Sequence, residues 1–276
     1  MNKIQSSWEL VKASFRVLTA DKELMIFPII SSISLFFVTL TFFIPSLFAG
    51  IFEESGLGVI SYVVLFLYYL AQYTVIFFFN TALVGAAMIR LQGGDPTLKD
   101  GFRIAFSRFG AILGYAAIAA TVGLILRALS RKGNLGRIVS SIFGLAWNVA
   151  TFLVVPVLAV EGVGPIKAIK SSVAHLRKSW GEQIIGNLGI GAVFGIVFIL
   201  LILLFVPIVW LVIAYVQATW AIIAVIAALV LLLVLLGLVQ STLNGVYTAA
   251  VYQFATTGKS SGFFDQNLVQ QAFRLE

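Results

Sequence analysis

The 276 residues are 61% hydrophobic and 11% charged, with a mean hydropathy of +1.06 and a formal net charge of +7. Soluble domains carry about 25% charged residues, so this chain cannot coat a water-facing surface, and a soluble fold is excluded. The absence of cysteine excludes disulfide and thiol chemistry. The basic excess lies in short segments between apolar runs, which points to a membrane surface and away from nucleic acid.

In chain order, Ile4, Trp8, Val11, Phe15 and Leu18 recur every three or four residues and predict an amphipathic helix, with Lys12 and Arg16 on its polar side. A charge-free run from Leu24 to Phe52 follows, too long for the apolar region of a signal peptide. A second run covers Ser55 to Ile89. Asp95 and Pro96 then open a second amphipathic stretch, Leu98, Phe102, Ala105 and Phe109, with Lys99 and Arg103 facing away. The third run, Phe109 to Leu126, is barely long enough to cross a bilayer, and the fourth covers Ile138 to Val160. Gly164 and Pro165 open a third amphipathic stretch, Ile166, Ile169, Val173, Leu176 and Trp180, with Lys167, Lys170, Arg177 and Lys178 on its polar side. No charged residue stands between Glu182 and Lys259, and a split near Tyr215–Thr219, after Pro207, gives a fifth and a sixth span. A further break at Gln240–Asn244 would leave too few residues to cross. In the tail, Phe264, Leu268 and Ala272, with Asp265 near their start, suggest a last short helix.

Six spans put both termini on one side. That side collects all but four of the 18 basic residues, so the positive-inside rule makes it cytoplasmic and the membrane the inner (plasma) membrane. The four exceptions, Arg127, Arg131, Lys132 and Arg137, share the loop between the third and fourth spans. Either that hairpin does not fully cross, or the outer face carries a cationic patch. Such a patch either draws anions toward a pore mouth or contacts lipid headgroups.

The pattern recurs three times: a basic amphipathic helix, expected either to lie in the interface or to pack as a cytosolic helix against its counterparts, then a hairpin of two spans. The units are 1–94, 95–162 and 163–258 of one membrane domain, with 259–276 a short cytoplasmic tail. Asn80, Asn148 and Asn244 each precede a glycine, Gly94, Gly162 and Gly258, by 14 residues. A helix rises about 21 Å over that length, which would place each Asn past the bilayer middle. There they either line a pore or hold helices together, the latter being worth about 0.6 kcal/mol on average. Gly110/Gly114 and Gly191/Gly195 are GxxxG pairs that suit close helix approach within or between subunits.

Candidate chemistry is sparse. No Asp, Glu, Lys or His falls mid-span, which disfavours proton-driven transport. His175, the only histidine, sits between Lys170 and Arg177 and reads as an interfacial polar residue, while Glu161 and Glu182 abut spans. No paired carboxylates, nucleophile elbow or phosphate loop is visible, so no enzyme, metal or cofactor is expected.

Two stretches carry a resemblance. Ser7-Trp8-Glu9-Leu10 with Asp21-Lys22-Glu23-Leu24 and Phe27-Pro28 is one; Asn244-Gly245-Val246-Tyr247 with Tyr252 through Gly258 and Gly262-Phe263 is the other. Together they resemble an uncharacterised family of bacterial and archaeal polytopic membrane proteins with a domain of unknown function. The segment from Glu161 to Pro165, with Ser171 and Trp180, is loosely similar to the membrane domain of glycerophosphodiester phosphodiesterases, whose catalytic domain is absent. The resemblance implies a membrane protein and no substrate.

The expected fold is therefore all-α: six transmembrane helices in three quasi-repeated hairpins, each preceded by a basic amphipathic helix. The expected function is an oligomeric channel or permease for a small solute or ion. The alternative is a membrane scaffold or lipid-organising protein, with anionic lipid headgroups as its partners.

Overall fold

The computed structural model describes residues 3–48, 59–180, 189–216, 218–259 and 261–264. The expected tail helix with Asp265, the acids Glu53, Glu54 and Glu182, Gly186, and the side chains of Trp8, Arg177, Lys178 and Trp180 lie outside this description.

The described residues are helical, with no strand. Helix α1 (Lys3–Ala20) leads through a 3-10 turn (Lys22–Met25) into α2 (Ile26–Phe48). Then come α3 (Val59–Leu91), α4 (Leu98–Ser107), α5 (Phe109–Ser130) and α6 (Gly133–Ala150). The chain continues through α7 (Val154–Glu161), α8 (Pro165–Trp180), α9 (Gly189–Leu211), a π turn (Val212–Val216) and α10 (Thr219–Thr257). Six stretches are long and apolar enough to cross a membrane: Lys22–Pro45, Val59–Leu91, Phe109–Ser130, Gly133–Glu161, Val193–Val216 and Thr219–Thr257. The chain is a multi-pass membrane protein.

The breaks fall where local chemistry demands them. The long charge-free stretch is interrupted at the π turn that follows Pro207, whose missing N–H leaves a carbonyl unpaired in the preceding turn. Beyond it α10 runs unbroken past Gln240 and Asn244. Helix α5, read as barely long enough, has 22 residues and is about 33 Å long. Its return limb is interrupted between α6 and α7, where Thr151, Phe152 and Leu153 form a turn. The cap of α4 is not at Asp95. Thr97 accepts from the backbone N–H of Asp100, and the Asp100 carboxylate accepts from the backbone N–H of Thr97, a full capping box.

Helix α3 is the hub: α2, α4, α5, α7 and α10 all pack against it, and α1 packs against α9 and α10. Helix α4 crosses α3 at backbone distance. A Cβ on Gly101 would stand 2.8 Å from the Ala82 carbonyl oxygen and overlap the Phe27 ring, while Ile104 packs over Gly85. Phe27 and Phe102 (centroids 5.4 Å apart) and Phe78 and Phe106 (4.9 Å) seal the crossing with edge-on contacts.

The contacts fix relative levels along the bundle. Phe27 of α2, Ala82 of α3 and Gly101 of α4 meet at one level, and Gly245 of α10 lies on Leu83. Phe77 meets Tyr115 (4.4 Å), and Tyr73 faces Gly123, so α5 begins close to that level as well. From it, α2, α3, α5 and α10 extend in one direction for roughly 32 to 39 Å. In the other direction α3 continues for roughly 13 Å and α10 for roughly 18 Å.

Burial follows this division. On α3 the buried residues are Thr81 to Met88 and Leu91; on α10, Ala221 aside, they lie between Thr242 and Tyr252. Val11, Ala13, Val17 and Leu18 of α1, Val157 and Leu158 of α7, and Ala168 and Leu176 of α8 complete this core. Ile60, Val63 and Leu67 of α3 and Val230, Leu231 and Leu235 of α10, at the far end, are exposed.

The amphipathic helices dock through smaller residues than the stripes suggest. Ala13, Ser14 and Val17 of α1, Gly101 and Ala105 of α4, and Ala168 and Ser172 of α8 are buried, whereas Phe15, Phe106, Phe109 and Ile166 are exposed. Close helix crossings select small side chains, and these lie among the buried stripe residues Val11, Leu18, Ala105 and Leu176.

Candidate functional site

The ion-paired side chains among the described residues gather at the core end of the bundle. Asp21, 6% exposed, accepts from Arg90 at 3.5 Å, and the same guanidinium grips Asp95. Burial pushes the Asp21 carboxyl above its ordinary value, with Arg90 pulling it down. Glu23 accepts from the backbone N–H of Leu98 (3.3 Å), so the 3-10 turn also helps satisfy the start of α4. The Thr97 hydroxyl and backbone hold the Asp100 carboxyl below its ordinary value.

A second polar group joins α7, α8 and α10. Glu161 Oε1 lies 2.9 Å from His175 Nε2 and accepts from the Tyr252 hydroxyl at 3.2 Å; its Oε2 accepts from Ser171 at 3.3 Å. The His175 and Tyr252 rings meet edge-on at 5.7 Å. The histidine expected to have no partner thus has a carboxylate from the preceding helix and an aromatic partner from a distant part of the chain. The carboxylate, not the imidazole, is the hub, and no described hydroxyl is bonded to the imidazole. The arrangement ties three helices together and lacks the nucleophile–base pair of acyl-transfer sites. Beside it, the Arg108 guanidinium lies over Gly162, whose φ of +64° ends α7 in the left-handed region. Ser172, fully buried, accepts from the backbone N–H of Leu153 at 3.1 Å, a donor near the α6–α7 break.

The basic side chains of the amphipathic helices divide into two kinds. Lys12 pairs with Glu9, Arg16 donates to the Phe263 carbonyl at 3.1 Å, and Arg103 pairs with Asp100. Lys99, Lys167 and Lys170 are exposed beside the uncovered apolar residues.

At the far end, Arg127 donates to the Tyr69 hydroxyl (2.9 Å). Tyr69, Tyr73 and Phe77 stack along α3 at 6.1 and 5.7 Å. Arg131, Lys132 and Arg137 project from the α5–α6 turn. The three asparagines do not share a level. Asn244 and Asn80 both sit within about half a turn of the α4 crossing, whereas Asn148 lies one turn before the α6–α7 break. Asn80 is half-buried, while Asn148 and Asn244 are exposed on the surface of the chain. Asn148 departs from the other two because the second return limb is interrupted. The left-handed residue ending the first limb is Gly93, not Gly94, while Gly162 and Gly258 hold that role in the other two. Among the GxxxG residues, Gly114 packs on Pro165, whereas Gly110, Gly191 and Gly195 face open space. Gln72 donates to Thr39 across α2 and α3 at 2.8 Å.

A family model matches residues 59–263, from the start of α3 to the segment held by Arg16. The chain belongs to the family of unknown function DUF6159. The DUF6159 match takes in the α3–α4 crossing, the Glu161 group and the C-terminal motif beginning at Asn244. Helices α1 and α2, with the Ser7 to Pro28 motif, precede it. No curated protein and no solved structure matches the chain.

Proposed function

We propose that the protein is a membrane scaffold that holds anionic lipid at the face bearing α1, α4 and α8. One observation carries this reading. Helices α4 and α8 are clamped to the core through Gly101, Ala105, Ala168 and Ser172, yet expose Phe106 (66%) and Ile166 (64%) beside Lys99, Lys167 and Lys170. Apolar side chains interleaved with lysines suit the boundary between acyl chains and headgroups. Placing that boundary at the α4 crossing leaves the far arms, roughly 32 to 39 Å long, to span a hydrocarbon layer of about 30 Å. The three amphipathic helices then lie near one interface as three related units, with both termini in the cytoplasm and the bilayer being the inner membrane.

The test is lipid retention by the purified protein, read by native mass spectrometry with phosphatidylglycerol against phosphatidylcholine. The combined substitution Lys99→Gln, Lys167→Gln and Lys170→Gln should remove preferential retention of phosphatidylglycerol. Unchanged retention would refute the assignment.

A conduit formed by several copies is the second reading. It is favoured by Asn148 and Asn244, whose exposed amides would otherwise meet lipid or headgroups. It predicts solute flux into proteoliposomes that Asn148→Leu and Asn244→Leu abolish together, without loss of the folded protein.

A further inference from the structure

We infer that the turn between α5 and α6 is a second lipid-docking element, which binds anionic phospholipid headgroups of the opposite leaflet. The turn is braced. Gly136 presses against the Leu129 carbonyl, where no side chain fits, and the Ser140 hydroxyl donates to the Leu126 carbonyl at 2.9 Å across the two helices. Arg127 is drawn inward by Tyr69. The brace leaves Arg131, Lys132 and Arg137 exposed, and none of their side chains has a hydrogen-bond or ion-pair partner among the described residues.

Charge and surface chemistry identify the occupant. The six carboxylates with described side chains, Glu9, Asp21, Glu23, Asp95, Asp100 and Glu161, all belong to elements at or near the core end of the bundle, and Glu53 and Glu54, between α2 and α3 in sequence, lie outside the described residues. The turn itself carries no acid. Its cations alternate with Leu135 (79% exposed) and Ile138 (58%). A hydrated pore mouth has no use for large uncovered aliphatic side chains between its charges. A headgroup layer accommodates both, the leucine and isoleucine below the phosphates and the cations among them. A basic cluster on this side also runs against the topological preference that puts lysine and arginine on the other face, so its presence calls for a partner there.

The chain lacks cysteine, so a single Asn134→Cys, at an exposed position of the turn, can carry an environment-sensitive fluorophore without competing labels. The labelled protein is placed in nanodiscs of phosphatidylcholine and phosphatidylglycerol, with bromine on one lipid or the other at equal mole fraction. Brominated phosphatidylglycerol should quench at least about twofold more than brominated phosphatidylcholine, since each basic residue near a surface attracts anionic lipid. Arg131→Gln, Lys132→Gln and Arg137→Gln together should equalise the two, and so should high salt with the unaltered turn. Lys99→Gln, Lys167→Gln and Lys170→Gln should leave the difference intact, which separates this site from the opposite face. Equal quenching in the unaltered protein, or a difference that survives loss of the three cations, would overturn the inference; either result would also leave an acidic protein partner as the reading to pursue.

Discussion

The two ends of α10 are built from the same kind of helix and do different work. From Ala218 to Val239 it is nearly all aliphatic, and its Val230, Leu231 and Leu235 touch little of the chain. From Gln240 onward it carries amides, hydroxyls and tyrosines, yet this is the end that is buried, with Val246, Ala249 and Tyr252 in the core. Helix α3 repeats the contrast between Ile60 and Ala87. Hydropathy therefore marks where lipid is the solvent, and burial marks where protein is; in this chain the two coincide poorly. In lipid, an aliphatic surface gains nothing by leaving the acyl chains, so packing is left to small residues and polar ties.

That contrast can be broken most severely at the α4 crossing. Gly101→Val should collapse the packed end, costing about 3 kcal/mol or more, because the nearest obstacle includes the Ala82 backbone, which cannot rotate away. Thermal unfolding in detergent measures it. Removing the charge partner at the same end is next. Arg90→Met should cost about 3 to 5 kcal/mol by leaving Asp21 buried without its cation, and adding Asp21→Asn should restore much of the loss.

The pH dependence of Asp21 sharpens the point. Its folded value is raised, so folding favours the protonated acid. The associated stability is complete below the ordinary carboxylate value and is lost as pH rises through the raised one. Asp21→Asn should flatten that part of the stability profile. Ser172→Ala, which strips the Leu153 N–H of its acceptor in a buried site, should cost about 1 to 3 kcal/mol. At the small end of the scale, Leu231→Ala in the lipid-facing stretch should change stability by less than about 0.5 kcal/mol.

The sequence made the spans legible because charge-free length is a nearly sufficient signal for a membrane helix, and the break before Thr219 followed from the polar residues beyond Pro207. It was a weaker guide to relative level: the 14-residue spacing to glycine treats the three return limbs alike, whereas the second is interrupted at Thr151, Phe152 and Leu153. The docking faces were legible in part: the stripe residues Val11, Leu18, Ala105 and Leu176 are buried, but Gly101 and Ser172, which add nothing to an apolar stripe, also set the crossings. The Glu161 group joins residues 14 and 91 positions apart, and only the spacing of Glu161, Ser171 and His175 along one segment hinted at half of it. Tyr252 lay within the familiar C-terminal motif, but no local pattern assigned it a partner.

The central claim is that the bilayer ends near the α4 crossing and that the packed ends of α3 and α10 stand beyond it. Were all 39 residues of α10 inside a hydrocarbon layer of about 30 Å, the helix would tilt by roughly 60°, outside the usual range for membrane helices. Single cysteines at Leu231, Asn244 and Thr256, all exposed on the chain, test this in vesicles with a membrane-impermeant thiol reagent applied to both faces. The account predicts no reaction at position 231, rapid reaction at 256, and an intermediate rate at 244. Protection of all three, or a reactive site at 231, would contradict it.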